Sequence, residues 1–138
     1  HTFAHSLKYA QENTEKEFGR IKTLQRYFEK RLKENFPQIR ITGVGERSPH
    51  ITHFVVPNID SELLVLELDA RGIAVSSKSA CKNDLPAQTV EGFDLLSLLY
   101  PGEKVGAIRV SYGRKTTKRE LDKTIIAIKH ILVKYKIN

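Results

Sequence analysis

The sequence predicts an α/β fold in which about four strands form a sheet and helices are packed on one face of it. One observation predicts this class, and a second predicts a single domain. Segments with the three- and four-residue spacing of amphipathic helices alternate with short β-branched runs typical of strands. No internal repeat, low-complexity tract or linker divides the 138 residues, and this length allows one hydrophobic core. We therefore expect residues 1–138 to form a single domain.

Three longer helices are predicted from periodicity and end signals. The first covers residues 2–36, where apolar side chains recur until a proline ends the helix. The second begins after Asp60, a good N-cap, and ends near Gly72, where a left-handed C-cap belongs. The third begins at Thr117, because Glu120 stands three residues later as in a capping box.

The predicted strands are four short β-branched runs. They are Ile39–Thr42, Ile51–Val56, Ile73–Ser76 and Ile108–Tyr112. Residues 77–92 have no clear period and are predicted to be a loop that is either mobile or held by neighbouring residues, with Cys81 accessible to solvent. Residues 93–99 are predicted to form a short helix.

Arg109 is a candidate anion-binding residue within the last predicted strand. Alternation sends Ile108, Val110 and Tyr112 to one face, and Arg109 and Ser111 to the other. A guanidinium held in a strand is a good fork for a carboxylate. The alternative is an arginine solvated at the edge of the sheet.

Cys81 is the one cysteine and the strongest candidate nucleophile. A single cysteine excludes an internal disulfide and any site that needs several cysteines. Lys78 and Lys82 flank it in a polar loop, and nearby ammonium groups favour the reactive thiolate. The alternative is a cysteine that is only a small buried apolar residue.

The histidines predict neither a metal site nor a protease-like Cys–His pair. His50 and His53 are three residues apart on a predicted strand, so their side chains point to opposite faces. A Cys–His pair would require His50, His53 or His130 beside Cys81, and nothing in the sequence places them there.

Composition and charge limit which other binding partners and locations are compatible with this sequence. The 23 Lys and Arg against 16 Asp and Glu give a net charge of +7, which leaves nucleic acid, anionic surfaces and acidic small molecules open. No basic strip rich in aromatic residues resembles an RNA-binding sheet. No apolar run is long enough for a membrane span, and the expected location is the cytoplasm. The sequence begins with His1 and has no methionine, so we expect a segment of a longer protein.

Two motifs together resemble the C-terminal part of cysteine desulfurases, pyridoxal-phosphate enzymes of aminotransferase class V. They are SSKSACK at residues 76–82 and IRVSYGRKTTKRELD at residues 108–122. The stretch PHITHFVVPNIDSELLVLELDARGIAVSS, residues 49–77, is similar to the family's strand–helix–strand before the cysteine. Essentially the whole chain is covered, and residues 82–105 match worst. Lys78 stands where the family most often has glycine.

The resemblance implies the small domain of the aspartate-aminotransferase-like fold. It implies that Cys81 attacks the sulfur of the cofactor-bound substrate L-cysteine and holds it as a persulfide, with L-alanine as the other product. It implies that Arg109 pairs with the substrate carboxylate. Pyridoxal phosphate is expected in the full-length enzyme and not on this chain, because the family's cofactor-binding residues belong to an N-terminal large domain. The chain alone is therefore expected to be inactive.

The resemblance also implies partners and leaves alternatives open. The expected partners are the large domain, a sulfur-acceptor or scaffold protein, and a second copy of the full-length enzyme in a homodimer. The sulfur would serve iron–sulfur cluster assembly or tRNA thiolation, and no membrane or nucleic acid is expected. A selenocysteine lyase-like fragment, a stand-alone persulfide carrier or interaction module, and a basic nucleic-acid-binding domain are the other interpretations.

Overall fold

Three helices and three strands lie within residues 2–43, 45–77 and 99–137, which are the residues that this computed structural model describes. The helices are α1 (Thr2–Asn35), α2 (Ser61–Asp69) and α3 (Lys118–Lys134). The strands are β1 (Arg40–Ile41), β2 (Ile51–Pro57) and β3 (Val105–Ser111). Cys81 lies outside the described residues, as do the predicted loop from residue 78 onward and the predicted short helix up to residue 98.

The strands form one antiparallel sheet in the order β1-β2-β3. In the register between β2 and β3, Ile51 lies opposite Ser111 and Pro57 lies opposite Val105. The α/β class is confirmed, and the estimate of about four strands is approximate because the sheet of the described residues has three.

The predicted strand Ile73–Ser76 is reduced to a single bridge. Ser76 donates its N–H to Arg109 O (3.2 Å) and accepts from Arg109 N (2.7 Å). The start of the segment is held elsewhere, because Ile73 N donates to Leu68 O at the end of α2 (3.0 Å). The segment therefore meets β3 only at its last residue.

The helices cover one face of the sheet, as predicted. Phe54 of β2 and Ile108 of β3 turn towards them and are completely buried. The ring of Phe28 in α1 lies between those of Phe54 and Tyr112, with centroids 6.4 and 6.3 Å away. Because alternate residues of a strand face opposite sides, Arg109 lies on the other face, away from the helices.

Two of the predicted helix ends are confirmed, but the side chain at a third, the N-cap of α2, makes a different contact from the one expected. Thr117 Oγ1 accepts from Glu120 N (3.3 Å) and Glu120 Oε2 accepts from Thr117 N (2.8 Å), which completes the capping box. Gly72 has φ +73°, the left-handed conformation that favours glycine. Asp60 occupies the N-cap position of α2, but its carboxylate does not cap the helix and instead pairs with Lys104 Nζ (2.9 Å).

β3 begins three residues earlier than the β-branched run suggests. Gly106 belongs to it, and a Cβ added there would lie 2.8 Å from Ile59 O. The small residue lets the turn before α2 approach the strand closely. Glycine lowers strand propensity, so this part of β3 could not be read from local sequence.

Candidate functional site

Arg109 is held in the middle of β3 with its side chain half-buried on the face away from the helices. Its guanidinium donates from Nη2 to Ser76 Oγ (3.2 Å), and the two residues also share both backbone hydrogen bonds of the bridge. The strand and its neighbour therefore fix the base of the side chain, and one of its five N–H donors bonds to a neutral hydroxyl.

The guanidinium of Arg109 has no acidic partner within the described residues. No carboxylate of that part of the chain lies within 4.0 Å of it. Arg20, Arg47 and Arg71, in contrast, each pair with a glutamate. A planar guanidinium whose hydrogen-bond partner among the described residues is a neutral hydroxyl has further N–H donors with which it can bind an anion.

His53 of β2 lies directly across from Arg109 and on the same face of the sheet. Its Nδ1 is 2.6 Å from Thr42 Oγ1, while the backbone N–H of Thr42 donates to His53 O (2.9 Å). Burial lowers the pKa of His53, and the positive charge of Arg109 lowers it further. The imidazole is therefore neutral at pH 7, and the positive charge of this pair belongs to Arg109.

The three groups Arg109, Ser76 and His53 form the candidate site. The sequence indicated Arg109 as an anion-binding residue but did not indicate His53, which was examined only as a metal ligand or as the base of a Cys–His pair. The pairing of β2 with β3 brings Arg109 and His53 together, and the available signal in the sequence was that each is a polar residue within a predicted strand.

Two of the other histidines, His50 and His130, make none of these contacts. His50 is exposed, with its Nδ1 3.3 Å from Tyr112 O, and His130 is exposed on α3. Within residues 2–43, 45–77 and 99–137, no group of three or more His, Cys, Asp and Glu residues could hold a metal ion. In the same residues, no helix has the length and apolar character that crossing a membrane requires.

The chain belongs to the aminotransferase class-V family, whose model matches residues 2–124. It is 28% identical over 131 residues to a cysteine desulfurase IscS of Clostridium botulinum, covering 92% of this chain and 32% of that protein. It is 29% identical over 123 residues to a cysteine desulfurase IscS of Dictyoglomus turgidum, covering 87% of this chain and 30% of that protein. The chain thus spans about a third of the length of these relatives.

Solved structures agree with this assignment. A NifS-like protein from Rickettsia africae superposes with a TM-score of 0.69 at 28% identity, over 87% of this chain and 30% of that one. Another NifS-like protein gives a TM-score of 0.72 over 94% of this chain, and at 22% identity it shows the fold alone. The predicted family and fold class are confirmed. The roles of Cys81 and Arg109 remain predictions.

Proposed function

We propose that this chain is the cysteine-bearing part of a pyridoxal-phosphate-dependent cysteine desulfurase. In this proposal Arg109 binds the carboxylate of L-cysteine, Cys81 receives its sulfur as a persulfide, and L-alanine is released. An acceptor or scaffold protein then takes the sulfur for iron–sulfur cluster assembly or tRNA thiolation. The chain spans about a third of relatives that carry the desulfurase name, so the activity is assigned to a longer protein.

The guanidinium of Arg109 is the observation that carries the proposal. The side chain is half-buried, its guanidinium donates to Ser76 Oγ, and it has no carboxylate partner among the described residues. A planar guanidinium matches both oxygens of a carboxylate, which a lysine ammonium does not. Neutral His53 beside it adds no second positive charge and leaves a site for one carboxylate.

Chain connectivity links this site to Cys81. Cys81 comes five positions after Ser76, so their Cα atoms cannot be more than about 18 Å apart, at roughly 3.6 Å per residue. Such a tether is compatible with both groups acting on one small substrate.

Pyridoxal phosphate does not fit the described residues by themselves. Every lysine within them is exposed, so they contain no buried amine that could bind the cofactor aldehyde. When bound in the longer protein, the cofactor supplies the electron sink that weakens the carbon–sulfur bond. We therefore expect the 138-residue chain, mixed with pyridoxal phosphate and L-cysteine, to release no more sulfide than the free cofactor does. A higher rate would contradict this part of the proposal.

Replacement of Arg109 by lysine tests the carboxylate site in a protein that joins this chain to its pyridoxal-phosphate domain. Arg109→Lys keeps the charge but loses one of two charge-assisted hydrogen bonds, so the KM for L-cysteine is expected to rise by about tenfold to a hundredfold. The absorbance of the bound cofactor should not change. Arg119→Lys, at an exposed residue of α3, is the matched control. An unchanged KM in Arg109→Lys would remove Arg109 from the site.

A further inference from the structure

A cleft lies next to the candidate site but is not lined by it. The cleft has a volume of about 760 Å³ and lies between residues 71–75, the end of β3 and residues 120–130 of α3. Its floor includes Val75, Val110 and Leu121. Neither Arg109 nor His53 lines it, so the proposed function leaves this cleft without a role.

The outer edge of β3 is open where it meets the cleft. Arg109 directs its backbone N–H and C=O to Ser76, and Tyr112 directs its N–H to His50 O on the other side. Because these directions alternate along an antiparallel strand, the N–H and C=O of Ser111 point towards the cleft side. Neither group has a backbone partner in the described part of the chain. Ser111 is also exposed, as is Ala74 across the cleft.

Two lysines on the rim of the cleft have no ion pair among the described residues. Lys115 and Lys123 line the cleft, and neither has a carboxylate within 4.0 Å in that part of the chain. The acidic residue in the lining, Glu120, is hydrogen-bonded to the backbone and hydroxyl of Thr117, and its charge also interacts with that of Lys123. An acidic ligand would therefore meet one ammonium group, that of Lys115, which pairs with no described carboxylate, and a second, that of Lys123, which it would share with Glu120.

An apolar side chain stands among these polar groups. Ile126 of α3 lines the cleft and remains 55% exposed, although its neighbours Ile125 and Ala127 are buried. A ligand that covers an exposed isoleucine is stabilised by about 25 cal/mol for each Å² of apolar surface removed from water.

We infer that this cleft binds an extended acidic segment of a partner protein. The backbone of the segment bonds to Ser111, its carboxylates pair with Lys115 and Lys123, and an aliphatic side chain covers Ile126. Addition of a peptide to an open strand edge is an established mode of recognition, in which backbone bonds provide affinity and alternate side chains provide specificity. The inference does not depend on the proposed desulfurase function.

Charge and chemistry argue against two other occupants, a second copy of this chain and nucleic acid. A second copy of this chain has a net charge of +7 and would be repelled from a basic cleft. Nucleic acid would use the lysines, and its phosphates would accept from the N–H of Ser111, but they would gain nothing from Ile126 or from the C=O of Ser111. An acidic peptide uses all three features.

Fluorescence anisotropy with a labelled peptide tests this inference. The probe is a peptide of about ten residues in which glutamate and valine alternate, a length typical of one strand. Saturable binding with a Kd below about 1 mM is expected. Lys123→Glu should weaken binding by about tenfold or more, because like charges face each other. Lys129→Glu changes the same charge at an exposed α3 residue outside the lining and should weaken it much less.

A backbone-methylated peptide of the same sequence separates strand pairing from simple charge attraction. It keeps every carboxylate but loses its N–H donors, so its affinity should fall by about tenfold, the equivalent of one lost hydrogen bond. No saturable binding of the parent peptide would overturn the inference. Equal binding of the methylated peptide, equal effects of Lys123→Glu and Lys129→Glu, or displacement by single-stranded DNA at lower concentration would also overturn it.

Discussion

Replacement of Thr52 by valine tests the buried hydrogen-bond chain that joins α1 to the sheet. Tyr112 Oη donates to Thr52 Oγ1 (2.7 Å), which in turn donates to Glu29 Oε1 (2.9 Å). Arg47 also donates to both oxygens of Glu29 (3.1 and 2.9 Å). Thr52 is 0% exposed and Tyr112 is 3% exposed, so water cannot replace the threonine hydroxyl. Burial also raises the pKa of Tyr112, which keeps its hydroxyl protonated as a donor.

The place of each hydroxyl in this series of hydrogen bonds determines how much its removal should lower the free energy of unfolding. Thr52→Val leaves the Tyr112 hydroxyl buried without an acceptor, so the free energy of unfolding should fall by about 1–3 kcal/mol. Tyr112→Phe removes that hydroxyl while Thr52 still donates to Glu29, and should cost only about 1 kcal/mol. In the Tyr112→Phe background, Thr52→Val creates no orphaned hydroxyl. Its cost should therefore be smaller there by about 1 kcal/mol or more.

Urea denaturation followed by circular dichroism measures the four free energies of this cycle. Thr124→Val is the matched control, because Thr124 is also buried but its hydroxyl donates to Glu120 O within its own helix (2.9 Å). That replacement leaves no buried group without a partner and should cost less than about 1 kcal/mol. The reasoning is refuted if Thr52→Val costs no more than Tyr112→Phe, or if the two costs add within about 0.5 kcal/mol.

Two further predictions concern protonation. Hydrogen bonds from Lys134, Tyr135 and Arg71 lower the pKa of Glu67 from 4.5 to about 2. These contacts stabilise the fold fully above pH 4.5, and the stabilisation is lost as the pH falls from 4.5 towards 2 and Glu67 becomes protonated. In Glu67→Gln, the melting temperature should therefore fall less steeply over this acid range (the acid limb) than in the unaltered chain. Separately, Arg109→Gln should raise the pKa of His53, measured by NMR titration of its imidazole, but only partly because burial is the larger cause of the lowered value.

Each of these protonation experiments has a matched control. Glu15→Gln removes the same charge from an exposed residue of α1 and should leave the acid limb as steep as in the unaltered chain. Arg119→Gln removes an exposed arginine away from β3 and should leave the pKa of His53 unchanged. An acid limb equally steep in Glu67→Gln would contradict the assigned contacts of Glu67. If the pKa of His53 does not change in Arg109→Gln, the charge of Arg109 does not act on the His53 imidazole across the strands.

Local patterns in the sequence were enough to predict much of this fold. The apolar periodicity of α3 and of the second half of α1 indicates which face is buried, because a 3.6-residue repeat presents one stripe to the core. In the first half of α1 the same periodicity was not enough, since Leu7 and Phe18 are exposed. Thr117 and Glu120 form the expected capping box, since both partners lie within one helical turn. Alternation in β3 correctly placed Arg109 on the face opposite Ile108, because that arrangement follows from strand geometry alone.

Features that depend on distant residues could not be predicted in this way. The start of β3 depends on the close approach of Gly106 to Ile59 O, and the bridge at Ser76 depends on where α2 ends. Local propensity does not contain either contact.

The sequence by itself determined the family, the α/β class, the helix ends and the side of the strand on which Arg109 lies. Only the tertiary structure decided what surrounds Arg109. Its neighbour His53 is 56 positions away along the chain, so no short-range pattern can reveal that the two side chains share one face. The pairing of β2 with β3 sets that proximity, because register between strands follows from how their apolar faces meet the same core.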